Sequence, residues 1–278
     1  MAAVLIAIAA CLSIVLALNM VGNRGGANDH GGGDVGTAGQ TAYRALASPS
    51  ATEATAAPAS RSAATANMAN FAIDALRSGV RTGPYKLPEN IDGRQLVLFV
   101  LPKRDLWMPD YGPLRGKLER TGRVKVVTAS TEPGTCEIHT KSPQPDNPVK
   151  ADTTLTLDLL SQRDFSALIF VGYDTAPFIS GSHAKAAKEV IAGMAAQGKL
   201  VGSICVGQSV LAHHQFLLGR EAAWGENLKG LVSASQARWR SNQRVVIDRS
   251  GTFPVVTAAA DRDAVEFAEA ILEILDGG

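Results

Sequence analysis

Cysteine is scarce in this chain, with three residues at positions 11, 136 and 205. Three cannot build a disulfide framework, and no two form a CxxC pair. No Cys/His cluster has the spacing of zinc ligands, so neither a metal nor another cofactor is expected. An excess of charge of one sign is also lacking. Lys and Arg number 27 against 26 Asp and Glu, with no basic patch or acidic tail, so nucleic acid is excluded as an electrostatic partner. Histidine is missing after position 214, which leaves the C-terminal part of the chain without an imidazole. Apolar material is plentiful: hydrophobic residues make up 46%, enough for a substantial core.

The first apolar run, residues 2–18, is broken only by Ser13. It is short for a membrane span and slightly long for a signal-peptide core. Residues 1–20 therefore read as either a signal peptide or a membrane anchor, and both place the rest of the chain outside the cytoplasm. Residues 21–66 are rich in Gly, Ala, Ser and Thr, with Tyr43 as their only aromatic. Such a segment cannot offset its ordering entropy by burial and reads as a disordered tether. Residues 67–93 form an extension in which Met68, Phe71, Ala72, Ala75 and Leu76 keep helical spacing.

From residue 94 to 278 the pattern is that of one α/β domain. Residues 95–101 (QLVLFVL), 124–129 (VKVVTA), 167–171 (ALIFV) and 200–204 read as buried strands. Helical segments separate them: one that Pro113 can open and Gly122 closes, and one that Ser182 can cap and Gly198 ends. Residues 132–152 interrupt the alternation with four prolines, Cys136 and His139. They read as an excursion, a hairpin of residues 136–141 and 149–152, followed by a helical turn at 157–160. A Gly-punctuated segment, 219–230, holds Trp224. Residues 244–248 and 254–257 flank Arg249-Ser250-Gly251 as a second hairpin, and Asp261 can cap the last helix. Strand–helix–strand order implies right-handed crossovers and a parallel sheet. In such sheets, sites lie beyond the carboxyl ends of the strands. The loops at 102–112 and 172–180 and the turn at Cys205 converge there.

Cys205 stands between a strand end and a helix start, in KLVGSICVGQSVLA (residues 199–212). Free N–H groups and the positive end of the helix dipole at that place favour a thiolate. The bland alternative is a small buried hydrophobe.

SICVGQSVLA resembles the AICAG-type nucleophile elbow of the ThiJ/PfpI family, which includes the Parkinsonism-associated deglycase and chaperone-like proteins. The resemblance runs from about Arg94 to Leu275. It implies a flavodoxin-like three-layer sandwich of the class-I glutamine amidotransferase type, with a mostly parallel sheet. It further implies Cys205 as nucleophile and an oxyanion hole from the backbone N–H groups of Tyr173 and Val206. The family's acid in the first strand-to-helix loop falls on Asp110, one methylene shorter than the usual glutamate, with Asp105 as competitor. The family's histidine has no counterpart, because Val206 follows the cysteine and the later region reads AAWGEN. His213 and His214 are about two turns along the helix from Cys205. They and His183 read as packing or surface residues, and His139 could fold over the site from the excursion. By analogy the protein forms a homodimer.

Three functions are compatible with these residues. The first is cysteine-dependent chemistry on a small carbonyl, acyl or amide substrate, of the glyoxalase or deglycase kind. The second is a non-catalytic redox-sensing or chaperone-like binding domain. The third is a tethered interaction module that uses the Pro-rich excursion as its contact surface.

Overall fold

The doubly apolar run at residue 95 forms β1 (Gln95–Val100). A computed structural model, which describes residues 93–155, 165–231 and 235–277, places it inside a seven-stranded sheet. The other strands of that sheet are β2 (Val124–Ser130), β5 (Thr153–Thr154), β6 (Phe165–Phe170), β7 (Leu200–Ile204), β10 (Val245–Asp248) and β11 (Val255–Ala258). Their order is β10-β11-β7-β6-β1-β2-β5. All neighbours run parallel except β10 and β11, which form the expected antiparallel hairpin. The expectations for residues 1–92 and for the turn at 157–160 lie outside the described residues.

Alternation along the strands sends side chains to two apolar layers, as a doubly covered sheet requires. Val97 and Phe99 of β1 meet Leu114 and Leu118 of α1 (Met108–Glu119), with Phe267 and Ile271 of α5 (Ala264–Leu275) in the same layer. Leu96, Leu98 and Val100 face the opposite layer. There α3 (Ala184–Ala196) supplies Val190, Ile191 and Met194, and α4 (Gln208–His213) supplies Val210 and Leu211. Each of these side chains is almost wholly buried, a stabilisation of about 1.5–3 kcal/mol apiece. The result is a three-layer α/β sandwich.

Several boundaries differ from the sequence reading. Helix α1 opens five residues before Pro113, at Met108, with Pro109 in its first turn. A proline there gives up no N–H that the helix needs, whereas Pro113 lies inside the helix and leaves one i→i−4 bond unmade. The Trp107 N-cap offers no side-chain acceptor. Instead the Met108 N–H donates to Ser142 Oγ at 3.0 Å, so the excursion caps α1 from outside. Ser182 does not cap α3. Its hydroxyl pairs with His183 Nδ1 at 2.8 Å, and a short helix, α2 (Ala176–Ile179), precedes it. At α5, Asp263 rather than Asp261 closes the N-terminus, accepting from the Ala260 N–H at 3.1 Å.

The excursion is a hairpin only at its base, β3 (Gly134–Thr135) against β4 (Lys150–Ala151). Beyond Cys136 the chain is stitched to the loop after β1. Glu137 N–H donates to Lys103 O, Leu106 N–H to Glu137 O, and His139 N–H to Leu106 O, at 2.9–3.0 Å. Strand β5 then joins the sheet edge beside β2. In the Gly-punctuated segment, β8 (Glu221–Ala223) pairs in parallel with β9 (Arg238–Arg240).

One buried ion pair ties this segment to the β10–β11 hairpin. Arg220 Nη1 donates to Asp248 Oδ1 at 3.1 Å and to Phe253 O at 2.9 Å, with its guanidinium 4.3 Å from the Phe253 ring centre. Asp248 also accepts from the Glu221 N–H and from the N–H and hydroxyl of Ser250. Burial pushes the Asp248 carboxyl up, but these donors outweigh it and hold the group below its ordinary value. Asp248→Asn keeps the shape and removes the charge opposite a buried guanidinium. It is expected to cost about 2–3 kcal/mol, read as a melting temperature lower by about 5–10 °C.

Candidate active site

At the end of β7 the chain turns from strand to helix within one residue. Cys205 occupies the corner with φ 54°, a left-handed backbone that costs a residue bearing a Cβ about 1–2 kcal/mol. A 3-10 turn, Cys205–Gly207, leads into α4. Gly207 permits the corner, since a Cβ there would lie 2.4 Å from the Phe170 carbonyl oxygen at the end of β6.

Asp110, in the first turn of α1, is fully buried and lies against the Cys205 thiol. Apart from that thiol, neither carboxyl oxygen meets a protein donor among the described residues. Burial, aided by the nearby Asp261 charge, pushes the Asp110 carboxyl up to about 8, with the thiol contact acting the other way. Gly172, just past β6, makes room for the pair. A Cβ on it would lie 2.7 Å from Asp110 Oδ2, 3.2 Å from Cys205 Cβ and 3.1 Å from Val206 N. Asp105, the competing acid, stays exposed in the loop, and its charge acts on Asp174 instead.

The expectation that the helix start would favour the thiolate is overturned. Burial and then the Asp110 charge push the Cys205 thiol well up, against a contribution from the Val206 N–H. The physical reason is first the cost of burying a charged sulfur and then that of a negative charge beside Asp110, which the Val206 N–H at the start of a six-residue helix does not offset. Near neutral pH both groups therefore keep their protons, and the Asp110 O–H is a donor available to the sulfur.

A second donor was not foreseen. Asn227 Nδ2 lies 3.1 Å from Cys205 Sγ, held by the 3-10 turn Glu226–Leu231. It belongs to AAWGEN, the region where the resemblance places a histidine. An amide donates a hydrogen bond there but takes up no proton. Among the described residues no histidine is hydrogen-bonded to Cys205. His213 lies in the last turn of α4, and His214 Nε2 bonds the Phe178 carbonyl at 2.8 Å.

Of the two predicted amides, the Val206 N–H acts on the sulfur, and the Tyr173 N–H donates to no protein acceptor among the described residues. The loop and the helix that carry them are joined by a buried Thr175 Oγ1–Ser209 Oγ contact of 2.8 Å. His139 folds in from the excursion. It sits edge-on to Tyr173 and Trp107, ring centres 4.7 and 5.3 Å away, while Trp107 and Tyr173 stack at 5.9 Å. Trp107 Nε1 donates to Asp261 Oδ2 at 3.0 Å, which brings Asp261 near Asp110. A separate hollow of about 350 Å³ lies at the amino ends of the strands, among Gln95, Val124 and Leu275, away from this chemistry. Among the described residues there is no His/Cys/Asp/Glu cluster able to hold a metal ion, and no helix is long and apolar enough to cross a membrane.

Comparison with known proteins places this fold. The chain resembles the ThiJ/PfpI domain protein of Brachyspira murdochii at 19% identity and a TM-score of 0.55, over 67% of this chain and 99% of the other. It matches oxidized Toxoplasma gondii DJ-1 at 23% and 0.52, over 65% and 90%, and Drosophila melanogaster DJ-1beta at 21% and 0.51, over 66% and 92%. At these identities the likeness is one of fold. No curated protein sequence matches the chain. The model of the DJ-1/PfpI family matches residues 110–274, from the buried Asp110 through the Cys205 corner to the end of α5, and the chain therefore belongs to the DJ-1/PfpI family.

Proposed function

We propose that the domain performs cysteine-dependent chemistry on a small α-oxoaldehyde or related carbonyl compound, as a glyoxalase- or deglycase-like enzyme. The observation that carries this reading is the buried Asp110 against Cys205, with a carboxyl that keeps its proton near neutral pH. Three donors surround the sulfur: the Asp110 O–H, the Asn227 amide and the Val206 N–H. Together they offset only part of the cost of a partly buried thiolate, which burial keeps a minor species. The thiol loses its proton to solvent water, and the thiolate adds to the aldehyde carbon. The Tyr173 and Val206 N–H groups hold the developing oxyanion, and Asp110 supplies the proton that converts it to a hemithioacetal hydroxyl. The resulting carboxylate is then a base in place to remove a proton from the same carbon. Proton return at the neighbouring carbon gives a thioester, and water hydrolyses it to a hydroxy acid and the free thiol. The Asn227 amide cannot replace a histidine as a base, which leaves Asp110 as the proton-carrying side chain.

The test is consumption of glyoxal and methylglyoxal by the full chain, followed as iodoacetamide alkylates the Cys205 peptide. The expected result is loss of turnover in proportion to alkylation. Turnover that survives complete alkylation of Cys205 would remove the reading. A second reading, a redox sensor, is favoured by the same donor set, which suits the oxygens of an oxidised sulfur. Oxidation of Cys205 by dilute peroxide without turnover on any aldehyde selects it. We also propose that residues 2–18 export the domain or anchor it in a membrane. Recovery of the full chain in the cytosolic fraction would contradict this.

A further inference from the structure

Two backbone segments border the sulfur, and each carries one of the amides proposed to hold the oxyanion. Tyr173 lies in the loop after β6, and Val206 in the corner after β7. The segments touch through glycines. A Cβ on Gly207 would lie 2.4 Å from Phe170 O and 3.3 Å from Gly172 N, and one on Gly172 would lie 3.1 Å from Val206 N. Close approach alone does not fix the angle between two N–H groups. A loop can slide along a helix without parting from it, and an oxyanion hole works only when both donors aim at one point.

Two hydroxyls lock the segments together. Thr175 is the N-cap of α2, where a threonine ordinarily accepts from its own helix, yet it makes no such bond. Asp174 Oδ1 accepts from the Ala176 N–H in its place, at 3.3 Å. The Thr175 hydroxyl instead meets Ser209 Oγ of α4 at 2.8 Å, and Ser209 Oγ donates to Val206 O at 2.6 Å. A hydroxyl has a single hydrogen, and Ser209 spends its own on Val206. Thr175 is therefore the donor, and the chain runs from the Thr175 O–H through Ser209 to the Val206 carbonyl. Both side chains are buried, so bulk water does not compete for these bonds. At the far end of α2, His214 Nε2 donates to Phe178 O at 2.8 Å and ties the same short helix to the end of α4. Of the two ties, the hydroxyl chain is the one that begins two residues from Tyr173 and ends on Val206.

We propose that Thr175 and Ser209 are positioning residues for the addition step, whose hydroxyl chain holds the Tyr173 and Val206 N–H groups aimed at one developing oxyanion. This rests on the carbonyl chemistry proposed for Cys205, and it adds the residues that set the geometry of its oxyanion hole. Neither hydroxyl bonds the sulfur or Asp110. The consequence is selective. Reactions of the thiolate that build negative charge on an oxygen depend on the two hydroxyls, and reactions that do not are indifferent to them.

The experiment compares two reactions at one sulfur in the full chain. Methylglyoxal turnover passes through an oxyanion. Alkylation by iodoacetamide does not, since the thiolate attacks the methylene carbon, the C–S bond forms and iodide leaves. Thr175→Val keeps the shape of the side chain and removes the donor. It is expected to lower kcat for methylglyoxal by about 10- to 30-fold with KM within about 2-fold. The iodoacetamide rate, read by mass at the Cys205 peptide, stays within about 2-fold of the parent. Thr175→Ser, which keeps the hydroxyl, holds kcat within about 3-fold of the parent. Ser209→Ala breaks the same chain, so the loss in Thr175→Val/Ser209→Ala falls short of the product of the two single losses. A Thr175→Val kcat within about 2-fold of the parent overturns the proposal and leaves Cys205 as the reacting thiol. Equal losses in the two reactions also overturn it, because they mark a displaced corner rather than misaimed amides. A parent protein that reacts with iodoacetamide but neither binds nor turns over methylglyoxal overturns the carbonyl chemistry and this proposal together.

Discussion

Cys205→Ser is expected to slow turnover of an α-oxoaldehyde by about 10³-fold or more, with the fold intact. The size of the effect follows from what surrounds the sulfur. A serine hydroxyl needs a base to take its proton, and none is in place. Asp110 is already protonated near neutral pH, Asn227 accepts no proton, and no imidazole bonds to this position among the described residues. A thiol reacts through the small fraction present as thiolate, which Asn227 and the Val206 N–H stabilise. Asn227→Ala, which removes one donor and keeps the nucleophile, is expected to cost only about 10-fold. The measurement is aldehyde disappearance under single-turnover conditions, with circular dichroism to confirm the fold. A serine protein within 10-fold of the parent would show that Cys205 is not the attacking group.

The second large effect concerns stability against pH. The folded Asp110 carboxyl is pushed up to about 8, far above the roughly 3.9 of an unfolded aspartate. Between these values the native state holds a proton that the unfolded state has released. Stability from this group is therefore fully present below about pH 4. It declines as pH rises and is lost by the time pH passes the folded value. At about 1.4 kcal/mol per unit the upper bound is about 6 kcal/mol. Asp110→Asn cannot ionise and escapes the decline. Its melting temperature should match the parent at pH 4 and exceed it increasingly towards pH 9. Melts at pH 4, 6, 7.5 and 9 check this, and a gap that does not grow with pH would mean that Asp110 is not held protonated.

Much of the architecture is legible in the sequence because the central strands are buried on both faces. Residues 96–101 form a continuous apolar run, 124–130 and 200–204 are largely apolar, and few other structures accommodate such runs in alternation with helices. Cys205 was legible for a related reason, since a cysteine between such a run and a helical pattern falls at a strand's carboxyl end. The local start signals were less informative. Pro113 and Ser182 carry the chemistry of helix beginnings, yet α1 and α3 begin elsewhere because tertiary partners decide, Ser142 in the first case. Asn227 was in view within AAWGEN but carried no signal, since an asparagine near a turn is commonplace. Its distance to the sulfur depends on how β8 and the following 3-10 turn pack. Asp261 and Trp107 meet across 154 positions, a pairing no local pattern encodes. The depressed thiol expected from helix position failed because burial and a neighbouring acid depend on the assembled fold.

The stitching of residues 137–142 to the loop after β1 has a consequence for any attempt to reduce this protein to a minimal α/β sandwich. In the sequence the excursion resembles a removable insertion, and excising residues 132–152 is the obvious way to ask whether it serves as a contact surface. Yet Leu106 would lose both its backbone partners, the first turn of α1 the Ser142 hydroxyl that caps it, and Tyr173 the imidazole against which it rests. Asp110 stands in that first turn. A shortened protein would thus report on a displaced acid as much as on a missing surface. Point substitutions on the exposed side of the excursion, such as Lys141 or Asp146, separate the two questions where a deletion cannot.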